Sequence, residues 1–205
     1  MEEISFWSET RKGGKVVERF EPTTNTVNLS DRRIATTDLS PLSQIPDLEV
    51  LILSGNEIQN IDLSPLEQCP KLLELSLGSN ELETIDLSPL KACPDLIHFD
   101  VSFNRLREIS LAPLAYCKSL KALHLYENKL SSIDLTPLGK CKKLRNLTLE
   151  KNEFDRIDIS ALFSCPNLVK LGFDDNVALS AAPKLKAAKK LPIAFKSVKG
   201  RIEWT

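Results

Sequence analysis

The feature that most constrains this 205-residue chain is a 24-residue period that runs without a gap through most of its length. Rows of 24 begin at Asp38, Asp62, Asp86, Ser110, Asp134 and Asp158, and each carries asparagine in one column: Asn56, Asn80, Asn104, Asn128, Asn152 and Asn176. The five cysteines, Cys69, Cys93, Cys117, Cys141 and Cys165, obey the same spacing. An odd number of cysteines in strict period reads as one structural slot repeated, not as a disulfide framework. It also favours a reducing compartment.

Within a row the residue pattern changes character. Around Leu72, Leu75 and Leu77 the alternation of apolar and polar residues is that of a short strand, with Leu75 and Leu77 inward and Glu74 and Ser76 outward. Asn80 and Leu82 follow, where the chain turns out of the strand. The next segment, as in Ser64-Pro65-Leu66-Glu67-Gln68-Cys69, reads as a short helical turn. Ser64 suits the N-cap, Pro65 the first helical position and Glu67 a capping box, and Pro70 ends the turn. Its leucine and cysteine face the core, so the cysteine column is a packing ladder. Row one has Ile45 in that column, row four has Ser110 for aspartate, and row six has Ala161 for proline.

The pattern L-x-x-L-x-L-x-x-N-x-L, present as Leu72, Leu75, Leu77, Asn80 and Leu82, resembles the leucine-rich-repeat family of the intracellular type. Six rows in register make the resemblance specific. It implies an α/β solenoid: a curved parallel β-sheet on the concave face, short helical turns on the convex face, and a lid at each end. It also implies an asparagine ladder, with amides bonded to backbone and to the next asparagine, and a function in protein interaction, as scaffold or regulator.

The expected organisation is a single domain. Residues 1–37 form a hairpin and a capping row, 38–180 form six repeats, and 181–205 form a basic cap. Ile4–Trp7 and Lys15–Phe20 flank Arg11-Lys12-Gly13-Gly14 as a β-hairpin, with Phe6, Trp7 and Phe20 placed to close the first coil. Val27 and Leu29 fall in strand columns, and Arg32 replaces the asparagine. Lys184–Leu191 reads as a short helix, with Leu185 and Ala188 over the last row. The spacing of Ile193, Phe195, Val198, Ile202 and Trp204 suggests strands around Lys199-Gly200.

Hydrophobic residues make up 42% and charged residues 27%, an ordinary balance that excludes a disordered chain. The net charge of −1 gives the whole molecule no preference for nucleic acid or membrane. No segment has the length and apolarity of a membrane span. Met1-Glu2-Glu3 lacks a secretory pattern. Without extracellular-style cysteine caps, the expected location is the cytoplasm and the expected state a monomer. Charge is nevertheless uneven: residues 177–205 hold seven Lys/Arg against one acid, and residues 1–176 hold 20 against 27.

Inward columns serve folding, so function is expected on the outward strand columns. These include Ile52, Glu74, His98, Asp100, Phe103, His124, Tyr126 and Glu150. Both histidines fall there in adjacent rows, beside Phe103 and Tyr126, which suits aromatic anchors for a protein partner. Two other readings are weighed. The basic segment 184–201, with Lys184, Lys186, Lys189 and Lys190, suits an adaptor for nucleic acid or anionic lipid. His98, Asp100 and His124 suit a metal-dependent hydrolase more remotely, since an open groove supplies no second shell of supporting groups and no oxyanion site. No catalytic role and no cofactor is expected.

Overall fold

Consecutive rows form stacked coils whose strands pair at a constant offset of 24 residues. A computed structural model describes residues 3–188, 191–196 and 198–205. In chain order the strands are β1 (Ile4–Thr10), β2 (Lys15–Phe20), β3 (Thr26–Asn28), β4 (Ile34–Thr37), β5 (Val50–Ile52), β6 (Glu74–Ser76) and β7 (His98–Asp100). They continue with β8 (Ala122–His124), β9 (Asn146–Thr148), β10 (Arg156–Asp158), β11 (Lys170–Gly172), β12 (Ala178–Ala181) and β13 (Ile202–Trp204). Strands β3, β5, β6, β7, β8, β9 and β11 form one parallel sheet of seven, one strand per coil. Val50 pairs with Glu74, Glu74 with His98, His98 with Ala122 and Ala122 with Asn146. Because a one-residue slip would turn every leucine outward, this register is fixed by burial. Leu51, Leu75, Phe99, Leu123 and Leu147 are all fully buried in one continuous core.

The return path is a five-residue 3-10 helix in each repeat, as at Ser64–Gln68 and Ser88–Ala92. The expected serine cap and capping box are not formed. Ser64 lies inside the turn, and no side chain caps the preceding Leu63. Instead the Asp62 carboxylate accepts the Ser64 N–H at 2.8 Å and its hydroxyl at 2.9 Å. Asp38, Asp86, Asp134 and Asp158 accept the N–H two residues on in the same way. A turn this short is organised by a local Asx bond, with no reach for a reciprocal pair. The Ser88 N–H and hydroxyl hold the Asp86 carboxyl below the usual carboxylate range, and the Thr136 hydroxyl and N–H do the same for Asp134.

The cysteines pack in the core, and they also donate. Cys117, Cys141 and Cys165 direct their thiols to the carbonyls of Leu90, Leu114 and Leu138 one coil earlier, at 3.4, 3.2 and 3.2 Å. Ile45 stands in the first repeat, where the preceding row has no such turn to offer a carbonyl. Burial pushes the Cys69 and Cys141 thiols up to about 11 and those of Cys93 and Cys117 to about 12.

Each asparagine from Asn56 to Asn152 ties two coils. The Asn104 amide donates to the carbonyls of Leu77 at 3.0 Å and of Val101 and Ser102 at 3.1 Å. Its oxygen accepts the Leu82 N–H at 2.9 Å. Among the described residues no ladder asparagine bonds to another, contrary to the expectation. The backbone groups of the adjacent coil lie closer and would otherwise be orphaned in the core. Asn176 is exposed and stands outside the ladder.

Both ends depart from expectation in detail. β1 and β2 form the hairpin, and β4 pairs with β1 on its other side. Phe6 is fully buried with Phe20 edge-on at 5.5 Å. Strand alternation therefore turns Trp7 outward, 58% exposed, and it does not close the coil. At the other end, Pro183–Ala187 is a 3-10 turn in which Leu185 is half-buried, while Ala188 beyond it is exposed. Lys189 and Lys190, expected to continue that helix, lie outside the described residues. Ile193–Lys196 is a further 3-10 turn and not a strand. The Pro192 carbonyl accepts the Phe195 N–H. Phe195 is the true lid, fully buried against Phe163 at 4.6 Å. Only Ile202–Trp204 is extended, in a small parallel sheet ordered β10, β12, β13.

Asn104→Ala leaves the buried Leu82 N–H without a partner and removes one of two donors from the carbonyls of Leu77, Val101 and Ser102, and is expected to lower stability by about 1–3 kcal/mol. Asn176→Ala is expected to change it by less than about 0.5 kcal/mol. Equal melting temperatures for the two variants would refute the ladder. The five buried thiols are expected to resist a disulfide reagent in the native protein and to react together on unfolding. Fast labelling of any one of them under native conditions would count against the packing described.

Candidate functional site

The outward strand columns line the concave face. It carries an open hollow of about 580 Å³ bordered by Asp100, His124, Tyr126, Thr148, Glu150, Lys151 and Lys170. Four residues expected there, Asp100, His124, Tyr126 and Glu150, are thus brought together. Phe103 stands on the same rim, its ring edge-on to Tyr126 at 5.0 Å. Tyr126 in turn meets the His124 ring at 6.4 Å. His98 is exposed on β7, one strand from His124. Ile52 and Glu74 lie outside the hollow, on β5 and β6, towards the N-terminal end of the face.

Local backbone geometry explains the rim. The residue before each ladder asparagine is forced into the left-handed region, as Gly55, Ser79, Phe103, Glu127 and Lys151. Glycine suits that conformation, whereas a bulky side chain is strained by about 1–2 kcal/mol. Phe103 holds φ at 53° and leaves 46% of its surface exposed. Glu127 and Lys151, the next two residues in the column, form an ion pair.

The polar groups are mutually organised. Asp100 accepts from the Ser102 N–H at 2.8 Å and from its hydroxyl at 2.6 Å. His124 Nδ1 shares a hydrogen bond of 2.9 Å with Thr148 Oγ1. Asp100 and His124 face each other in adjacent strands, yet each has its own hydroxyl partner, so Ser102 is not set against His124 as a nucleophile to a base. Ser102, Thr148 and Ala122 occupy outward columns but are buried, at 1%, 3% and 2% exposure. They form a floor beneath longer neighbours and are not contact surface. Among the described residues no group of three or more His, Cys, Asp or Glu side chains is arranged to hold a metal ion.

Burial pushes His124 below the ordinary histidine value. Asp100 opposes that shift, Lys170 and His98 reinforce it, and Glu150 opposes it. Glu150 is the least satisfied group: its Oε2 is buried with no hydrogen-bond partner among the described residues. Its carboxylate folds over Gly172, where a Cβ would meet Oε1 at 1.9 Å. The contribution of Lys151 to this hollow and the approach of Glu150 to Gly172 were not anticipated from the sequence. A glycine in an outward strand column was the signal available, since it marks a close approach.

The leucine rich repeat family profile matches residues 46–106, 70–130 and 94–154. No curated protein matches the chain in sequence. Among solved structures, an internalin from Listeria monocytogenes is 30% identical with a TM-score of 0.59, over 78% of this chain and 42% of that one. Internalin C2 of the same organism is 26% identical with a TM-score of 0.64, over 92% and 80%. The Arabidopsis receptor kinase HAESA, solved with the peptide hormone IDA and the co-receptor SERK1, is 25% identical with a TM-score of 0.67, over 80% and 28%. The present chain therefore spans less than half of the first internalin. With overlapping profile matches across more than half its length, on the same 24-residue frame that sets its strand register, the chain belongs to the leucine rich repeat family.

Proposed function

We propose that this protein is a non-catalytic binding module that holds a protein or peptide segment on the concave face, with Phe103 and Tyr126 as anchors and His98, Asp100, His124 and Glu150 as the polar surround. Ile52 and Glu74 extend the contact surface towards the N-terminal end. One observation carries the reading: Phe103 keeps an exposed aromatic ring at a backbone position that disfavours it. Ser79 in the same column shows that the fold accepts a small residue there. Strain retained at an exposed aromatic points to a use outside the fold. Rigid amphipathic rings packed edge to face lose little entropy on binding. The similar structure of HAESA, a complex with a peptide hormone and a co-receptor, supports a binding role for the fold.

The test separates binding from folding. Phe103→Asn relieves the left-handed strain, because asparagine tolerates that region, while it forfeits a ring contact of about 0.5–1.5 kcal/mol. Net stability is expected to stay within about 1 kcal/mol of wild type. Together with Tyr126→Ala, the substitution is expected to weaken partner capture from source-cell lysate at least about ten-fold. Equal retention by wild type and the double variant would remove the concave patch from the function.

Protonation supplies a second test. Burial disfavours the charged form of His124, so its contribution to stability is full above the unfolded value, about 6.5, and declines as pH falls through the lower folded value. NMR titration is expected to place the His124 midpoint below that of an unfolded peptide. The stability of wild type relative to His124→Gln is expected to fall on acidification. A midpoint at or above the peptide's would contradict the burial argument.

A further inference from the structure

One flank of the solenoid changes sign along its length. Where the chain passes from the 3-10 turn into the strand, the repeats carry Pro46, Pro70, Pro94 and Pro166, but rows four and five place Lys118 and Lys142 there instead. The same two rows add Lys121, Lys140, Lys143 and Arg145. All six cations are exposed, and among the described residues none lies within ion-pair distance of a carboxylate. The amines of Lys118, Lys142 and Lys143 bond only to neutral oxygens, those of Ala115, Ser164 and Ser119. In rows one to three the corresponding flank holds Asp47, Glu49 and Asp95, with Lys71 paired to Asp47 at 2.6 Å. The basic block therefore belongs to the C-terminal half alone.

A second observation lies on the same flank. Five large hydrophobic side chains are exposed in the described protein, and three of them border this block: Tyr116 at 56%, Val169 at 46% and Ile193 at 60%. Contact is continuous. The Val169 N–H donates to the Arg145 carbonyl at 2.8 Å, and the Arg145 N–H to that of Lys121 at 2.8 Å. The Ala194 N–H, next to Ile193, donates to Leu168 at 3.2 Å. Lys196 ends that turn.

We infer that this flank is a docking surface for an anionic lipid bilayer, contacted by the C-terminal half of the solenoid with its acidic rows one to three held away. Cations alone suit any polyanion, but aliphatic side chains exposed among them have no use against a phosphate backbone. In the interfacial region of a bilayer they lose water, while lysines reach headgroups and a tyrosine sits at the boundary. Among the described residues no stack of aromatic rings lines the block, as single-stranded nucleic acid would require. The surface is separate from the concave hollow, so the module can hold a protein while resting on a membrane.

Vesicle sedimentation of the full chain tests this, with phosphatidylcholine vesicles with and without phosphatidylserine. Wild type is expected to bind only those with phosphatidylserine, and less so as salt rises. Lys118→Gln with Lys142→Gln and Arg145→Gln is expected to weaken that binding about a hundred-fold, at about five-fold per cation, with the melting temperature unchanged. Ile193→Ser is expected to weaken it without altering the salt dependence. Binding no greater with phosphatidylserine than without it overturns the proposal, as does full retention by the triple variant or by Ile193→Ser. Capture of a duplex RNA or DNA oligonucleotide that the triple variant loses, with vesicles ignored, overturns it in favour of nucleic acid.

Discussion

The fold depends on what the asparagine amide does for its neighbours. Where each strand ends, the chain must turn inside a stack of coils, and backbone groups such as the Leu77 and Val101 carbonyls and the Leu82 N–H find their partners in asparagine side chains. The side chains of Asn56 to Asn128 are nearly buried. Each donates to carbonyls of its own and the preceding coil and accepts an N–H from the preceding coil, as Asn104 does with Leu77, Val101 and Leu82. An unpaired buried polar group is costly, and a group that satisfies several at once makes each coil conditional on the next. That turn in turn obliges the residue before the asparagine to be left-handed, which creates the rim of the concave face. Structural necessity at Asn104 thus sets the backbone of Phe103.

A ladder must stop, and both ends stop it with arginine. Arg32 occupies the asparagine column of the leading row, where its guanidinium donates to the Ser30 carbonyl at 2.8 Å while pairing with Glu18. At the far end Arg201, distant in sequence, donates to the carbonyls of Asp174, Asp175 and Val177 and lies over the Phe173 ring at 5.1 Å. The longer donor fork reaches carbonyls that have no further coil to serve them and remains partly in water, which a buried amide cannot do. Arg201 thereby leaves Asn176 exposed although the sequence frame aligns it with the ladder. The hairpin is secured in the same spirit, with Arg11 pairing Glu81 at 2.7 Å and Glu57 at 3.5 Å.

What was legible in the sequence follows from periodicity. The parallel sheet, its register, the inward leucines and the cysteine slot all repeat, and repetition makes each assignment six times over. The hairpin at Arg11–Gly14 was legible from its turn glycines. Elements that occur once were not. Ile193–Lys196 alternates like a strand yet folds as a 3-10 turn, because one ring, Phe195, must reach back to Phe163 to cover the last coil. Trp7 and Phe6 are equivalent by composition and opposite by alternation. Bonding within a column was also hidden: the frame showed that aspartate precedes five of the six repeat turns, but not that it displaces serine as the cap.

The candidate site divides along the same line. Column arithmetic placed His124, Tyr126, Asp100 and Glu150 on one face, and they do share a hollow. It did not show that Ser102 and Thr148 sink beneath them, since depth in a column depends on neighbouring side-chain length and not on frame. Nor did it show that Glu150 turns towards Gly172 and leaves an oxygen without a partner. The orphaned oxygen and the strained Phe103 have a common character. Both are local costs in a molecule whose repeated positions are otherwise well satisfied, and both lie on the surface the repeats leave free to vary. A repeat protein supplies its own control for such reasoning. Where Ser79 and Gly55 meet the same backbone demand at lower cost, the presence of phenylalanine at 103 reflects a requirement that folding does not impose.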